Sequence, residues 1–304
     1  MNLDKLTQLQ QQYALTEKDF ETILQIIIRT HTQGITLSKT PTVIILGAQP
    51  GAGKTELQKE AEYSLLKNAV ICNADNFRDY HPLADEIKRK HPVYYPDITA
   101  KYSKRWNDEL SRYCREHRLN YILETTFASG KQLSETIKEV KEKGYRAVIK
   151  LLAVAPRLSM LGTYLRYEKS IEETGMGRQV SRKAHDERFH AIPDTLGEIQ
   201  WPKIYDELYL YARTAVLEQT SLVEGVSLVA HNPYNPLKVY EEELARPWPE
   251  KLKHYFSQQS YQVLKLMKKR NAPEKEINQF KKDMGIKEVQ KQRQRKSPRR
   301  GRRM

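Results

Sequence analysis

Nine consecutive residues, Gly47-Ala-Gln-Pro-Gly-Ala-Gly-Lys-Thr55, combine the groups that hold a triphosphate. Gly47, Gly51 and Gly53 let backbone N–H groups turn inward onto phosphate oxygens, and a following helix would add partial positive charge at its N-terminus. Lys54 would reach the β- and γ-phosphates, and the Thr55 hydroxyl would ligate Mg²⁺. The strict G-x-x-x-x-G-K-[ST] pattern has glycine where this chain has Ala48, the mildest replacement available. With Gln49, Pro50 and Ala52, these residues form a candidate ATP-binding loop.

Phosphoryl transfer also needs a base near the acceptor hydroxyl and a clamp on the moving phosphate. Asp75 suits the base, or else it caps the segment that begins at Asn76. Glu124 could orient Mg²⁺ through water or bind substrate, or it is a solvated charge at a strand end. Arg166 and Arg178 flank a helix end and a glycine-bordered turn. They suit a flap that carries guanidinium groups over phosphates, or ordinary surface ion pairs. His185 and His190 are five apart on a helix, on different faces, which argues against a metal pair. No Ser-His-Asp or Cys-His pattern has local support.

The elements that would position these groups read as follows. Thr42–Leu46 is a short apolar, β-branched run and predicts a buried strand, followed by the loop and a helix over 56–66. Further strands are expected at 69–72, 121–123, 147–154, 208–211 and 227–230. Helices are expected over 99–117, over 131–143 with Gly144 after its end, from Pro156 onward, after Ser181, and over about 250–270. Residues 3–30 predict two helices broken near Ala14–Thr16, with Thr16 as N-cap and Asp19 three residues on. Strands alternating with helices argue for an α/β fold around a parallel sheet with right-handed crossovers. In such sheets ligands gather at the carboxyl ends of the strands, where Lys54-Thr55, Asp75 and Glu124–Thr126 all fall.

The net charge of +14 is uneven: residues 287–304 hold nine Lys/Arg against one acidic residue. That tail has no apolar periodicity and is expected to be disordered, either holding nucleic acid without sequence preference or simply solvated. Two cysteines, Cys72 and Cys114, exclude a disulfide framework and read as small buried hydrophobes in a reducing compartment. There is no apolar stretch of membrane-spanning length and no signal-peptide pattern, so a cytoplasmic location is expected. The chain divides into N-terminal helices (1–36), a P-loop domain (37–232), a C-terminal helical extension (233–286) and the basic tail (287–304).

The phosphate loop, Asp75-Asn-Phe-Arg-Asp-Tyr-His-Pro82, Glu124-Thr-Thr126 and Leu161-Gly-Thr-Tyr-Leu-Arg-Tyr-Glu168 together resemble the zeta toxin family. Its members are P-loop kinases from bacterial toxin–antitoxin modules. The resemblance covers roughly residues 38–232, and Asp75 lies 21 residues after Lys54. It implies a P-loop kinase-like fold and transfer of phosphate from ATP, with Mg²⁺, to the amino-sugar 3′-hydroxyl of UDP-N-acetylglucosamine. It implies Lys54 as phosphate lysine, Thr55 as Mg²⁺ ligand, Asp75 as base, and Arg166 and Arg178 as the phosphate clamp. Phe77, Arg78, His81, Glu124 and Thr126 would line the substrate side, and a small antitoxin would cover the nucleotide site. Thr125 stands where many members have glycine, which would add bulk beside the acceptor pocket. A different reading is a polynucleotide kinase or nucleic-acid-directed ATPase guided by the basic tail.

Overall fold

The structure, a computed structural model, describes residues 3–177 and 179–286. Arg178 and the basic tail over 287–304 lie outside the described residues. The chain opens with α1 (Leu3–Gln12) and α2 (Glu17–Thr32), separated at the expected break. Thr16 accepts from the Asp19 N–H and Asp19 reaches back to Thr16, a reciprocal cap that satisfies two otherwise orphaned donors. Phe20, Ile23, Leu24 and Ile27 recur at helical spacing and are all buried.

β1 (Thr42–Gly47) is buried along its whole length and sits inside a six-stranded sheet of order β2-β3-β1-β4-β5-β6. Its partners are β3 (Tyr121–Thr125) and β4 (Arg146–Ala153), both parallel, and β2 (Val70–Cys72) adds to β3. An all-apolar central strand is what a sheet covered on both faces requires. One face packs Val43 and Ile45 against α2, α5 (Tyr95–Glu116), α6 (Gly130–Glu142) and α8 (Arg182–Gln200), through Ile27, Trp106, Ile137 and Leu196. The other face packs Ile44 and Leu46 against α3 (Lys54–Ser64) and α10 (Glu250–Lys269), through Leu57 and Leu252. Each such side chain contributes about 1.5–3 kcal/mol on burial. Cys72 and Cys114 are buried free thiols, as their role as small hydrophobes requires.

The last strand departs from the expected parallel pattern. β5 (Glu207–Glu218) is parallel to β4 but runs on past Ala212, the last residue paired to it. It then turns at Gln219–Thr220 into β6 (Ser221–His231), which returns antiparallel. A two-residue connection permits only the antiparallel return, and this hairpin projects over the carboxyl ends of the other strands.

α7 (Pro156–Thr174) leads from β4 toward α8. Beyond β6 come α9 (Pro236–Ala245), α10 and α11 (Glu274–Met284). Within the expected helical extension, Pro236 stands in the first turn of α9 and Pro273 just before α11, where a missing N–H costs no helix bond. A separate apolar cluster joins Met160, Leu161 and Tyr164 of α7 to Val263 and Met267 of α10 and to Phe280 and Met284 of α11. A fourth cluster joins Leu9 and Tyr13 to Ile87 of α4 (Ala84–Lys90) and Ile98 of α5. Among the described residues no helix is long and apolar enough to cross a membrane.

Candidate active site

The loop after β1 turns on two glycines in the left-handed region, Gly51 at φ +74° and Gly53 at φ +98°. Gly53 begins α3 without a side-chain cap, so backbone N–H groups at that helix start face outward, as an anion site needs. Ala48 is fully buried and is not among the residues with positive φ, so a methyl group fits where the strict pattern has glycine. The Gln49 side chain turns inward, donating to the Val154 carbonyl (2.7 Å) and Ser159 Oγ (3.1 Å). Only its backbone remains for a ligand; the side chain anchors the loop. Lys54 Nζ donates to the Ala48 carbonyl (3.1 Å) and lies 3.5 Å from Glu124 Oε1. Burial lowers the Lys54 pKa from its ordinary value, and Glu124 opposes that shift.

Glu124, at the end of β3, also accepts from Asn73 Nδ2 at 2.7 Å. Asn73 in turn accepts the Asp75 N–H through Oδ1 at 2.9 Å, so Asn73, not Asp75, caps the short 3₁₀ helix over Ala74–Tyr80. Sequence reading missed Asn73, although an asparagine directly after a strand and before a helical turn is a recognisable cap. The Asp75 carboxylate is exposed and bound by Arg78, whose Nε donates at 2.9 Å and whose Nη2 lies at 2.8 Å. Arg78 is itself anchored to the Pro96 carbonyl and Thr99 Oγ1. Contacts thus run from the Lys54 ammonium through Glu124 and Asn73 to the backbone of Asp75.

Two expected substrate-side residues face elsewhere. Phe77 is fully buried, edge-on to the His31 ring of α2. His81 is also buried, with Nε2 on the Tyr13 carbonyl (3.0 Å) and Nδ1 accepting the Leu83 N–H (3.2 Å). Apolar burial and backbone anchoring claim both side chains, so they fasten this segment to the N-terminal helices. Thr126 is exposed, whereas the Thr125 hydroxyl is turned onto the Leu46 carbonyl (3.0 Å) instead of into open space.

α7 lies directly on the phosphate loop: a Cβ on Gly162 would meet the Gly51 carbonyl oxygen at 2.2 Å. One turn on, Arg166 is exposed. The loop is strapped from the other side by Arg213 of β5, which donates to the Gly51 carbonyl (3.0 Å) and pairs with Glu224 of β6 (2.7 Å). Burial raises the Glu224 pKa above the ordinary carboxylate value, and Arg213 works against this. Neither Arg213 nor Glu224 carries a sequence signal. Behind the loop, Ser159 Oγ meets His185 Nε2 at 2.8 Å, and His185 Nδ1 meets Asp186 Oδ1 at 2.9 Å. This resembles a hydrolase triad in connectivity, yet Ser159 and His185 are fully buried, so no substrate reaches the hydroxyl. It acts as internal bracing for Gln49.

The arrangement offers an uncapped helix start, a partly buried ammonium and an exposed, oriented carboxylate. Among the described residues no group of three or more His, Cys, Asp or Glu could hold a metal by itself.

A family model described as zeta toxin matches residues 27–217. The chain is 28% identical over 199 residues to toxin PezT of Streptococcus pneumoniae serotype 4, covering 65% of this chain and 79% of the relative. It is also 28% identical over 232 residues to toxin zeta of Streptococcus agalactiae, covering 76% and 78%. A solved chain from the PezAT chromosomal toxin–antitoxin system of Streptococcus pneumoniae superposes with a TM-score of 0.71 at 23% identity, covering 83% of this chain and 98% of that one. At that identity the structural likeness establishes the fold.

Proposed function

The chain belongs to the zeta toxin family of kinase-like toxins, and we propose that it transfers the γ-phosphoryl group of ATP to a nucleotide sugar. The acceptor proposed is the amino-sugar 3′-hydroxyl of UDP-N-acetylglucosamine. One observation carries this reading: the loop ammonium of Lys54 lies 3.5 Å from Glu124, whose carboxylate accepts from Asn73, the residue that caps the turn carrying Asp75. A triphosphate cradle with no carboxylate beside it would bind nucleotide without activating an acceptor. Asp75 takes the acceptor proton, and Arg78 holds its carboxylate in a fixed orientation. Lys54 leaves its Ala48 and Glu124 partners for phosphate oxygens, and Arg166 and Arg178 offset charge on the transferring group. Mg²⁺, held by Thr55, would neutralise charge on the phosphates when bound. A small antitoxin that covers the nucleotide site is the proposed protein partner, because the PezAT neighbour comes from a toxin–antitoxin system.

The test is incubation with ATP, Mg²⁺, a panel of UDP-sugars and a 5′-hydroxyl oligonucleotide. Mass spectrometry should show one added phosphate on UDP-N-acetylglucosamine, lost in Lys54→Ala, and NMR should locate it on the 3′ oxygen. Labelling of the oligonucleotide alone would replace the proposed acceptor with a polynucleotide.

A further inference from the structure

α10 and α11 lie beyond the residues 27–217 that the family model matches, yet they hold the helix that carries Arg166. Asp283 of α11 has a side chain only 1% exposed and accepts from two elements at once. Tyr164 Oη of α7 donates to Oδ2 at 2.8 Å, and Arg182, the first residue of α8, donates to Oδ1 at 2.5 Å. One turn along α7, the Glu168 carboxylate, also 1% exposed, receives two parallel bonds from Arg270 at the end of α10, at 2.8 and 2.9 Å. Arg270 is fixed in turn by Glu276 at 2.6 Å.

These anchors bracket the proposed clamp. Tyr164 and Glu168 stand on either side of Arg166 along α7. Arg182 also reaches Asp186 (3.3 Å), which continues through His185 and Ser159 to Gln49 of the phosphate loop. A single run of hydrogen bonds therefore joins α11 to the loop. Charged groups this buried hold position only with their partners, since an unpaired carboxylate here is strongly unfavourable. Two-point bonding by Arg270 also fixes rotation of α7 about its axis, which apolar packing alone would leave loose.

From this geometry we infer that α10–α11 is a brace that sets the position of α7 and its Arg166, with Asp283 and Arg270 as its positioning residues. The inference rests on the proposed phosphoryl transfer for its kinetic arm only. A carboxylate that orients the helix carrying Arg166 controls geometry, and an error of about 1 Å at a reacting group costs about 10²-fold in rate.

The experiment uses the full chain with Asp283→Asn, Arg270→Lys and, as control, Lys269→Ala, which removes only an exposed pair with Glu172. Hydrogen exchange without nucleotide is followed in peptides covering residues 156–186, alongside kcat, KM and thermal unfolding. Asp283→Asn should raise exchange across 163–182 at least threefold and lower kcat by about 10- to 100-fold. KM for the acceptor should stay within about twofold, and Lys269→Ala should match wild type. Arg270→Lys, which keeps charge but loses the second parallel bond, should fall between them. Unchanged exchange in Asp283→Asn overturns the brace, as does a loss of activity that only tracks the unfolded fraction. If wild type phosphorylates nothing, the proposed function fails while the exchange result still decides the brace.

Discussion

Replacing Gly162 by alanine tests how closely α7 must lie on the phosphate loop. The added Cβ would stand 2.2 Å from the Gly51 carbonyl oxygen, about 1.2 Å short of ordinary contact, and the obstructing atoms are backbone that cannot rotate aside. Either α7 backs away or the loop shifts. Overpacking of this kind costs about 1–3 kcal/mol. Alanine in a helix recovers about 0.5–1 kcal/mol relative to glycine, so the proper reference is a helical glycine with room to spare. Gly197 of α8 provides it, since a Cβ there meets nothing within 4 Å. Gly197→Ala should leave stability equal or raised. Gly162→Ala should unfold at a temperature lower than Gly197→Ala by about 2–4 °C for each kcal/mol lost. Because the displaced loop is the proposed nucleotide cradle, ATP turnover should also fall about 10²-fold. Thermal unfolding and an ATP-consumption assay decide the matter. If Gly162→Ala matched Gly197→Ala in both, the helix would not be seated on the loop as described.

Asp75→Asn should retain ATP affinity within about twofold but lose about 10²- to 10⁴-fold in transfer rate; wild-type transfer would remove Asp75 as the base. Arg213→Ala strands the partly buried Glu224 and releases the Gly51 carbonyl, which should cost about 3 kcal/mol in denaturant unfolding. Adding Glu224→Gln should recover part of that loss, and strict additivity of the two would refute the coupling. Burial lowers the His81 pKa, so the unfolded chain binds more protons between the folded value and about 6.5. Stability from this site is complete above about pH 6.5 and is lost as pH falls through that window. His31 is shifted the same way by burial and adds to the slope. His81→Gln should flatten the dependence of unfolding temperature on pH between about 5 and 7, and an unchanged slope would assign it to other groups.

What could be read from the residues was what local chemistry determines. An unbroken β-branched run ending in glycines can hardly be anything but a central strand and its loop, and Thr16 with Asp19 announces a helix start. The hairpin was legible only in part. Its strands are half-exposed beyond Ala212, and Gln219–Thr220 lacks the glycine or asparagine pair that advertises a tight turn. Motif membership placed Phe77 and His81 near the site but could not say which way they point, because packing against α2 decides that. Arg213 was invisible for a different reason: its contact with Gly51 spans 162 residues, and nothing local marks an arginine as a strap.

The order in which these parts leave the ribosome follows from where they lie. Arg182 and its acceptor Asp283 are 101 residues apart, and translation adds about 5–20 residues per second. Glu224, whose partner Arg213 straps the loop, still precedes Asp283 by 59 residues, so for about 3–12 s each newborn molecule would hold its phosphate cradle while the helix above it lacked its fastening. Full rate would thus arrive last, after the rest of the machinery had formed.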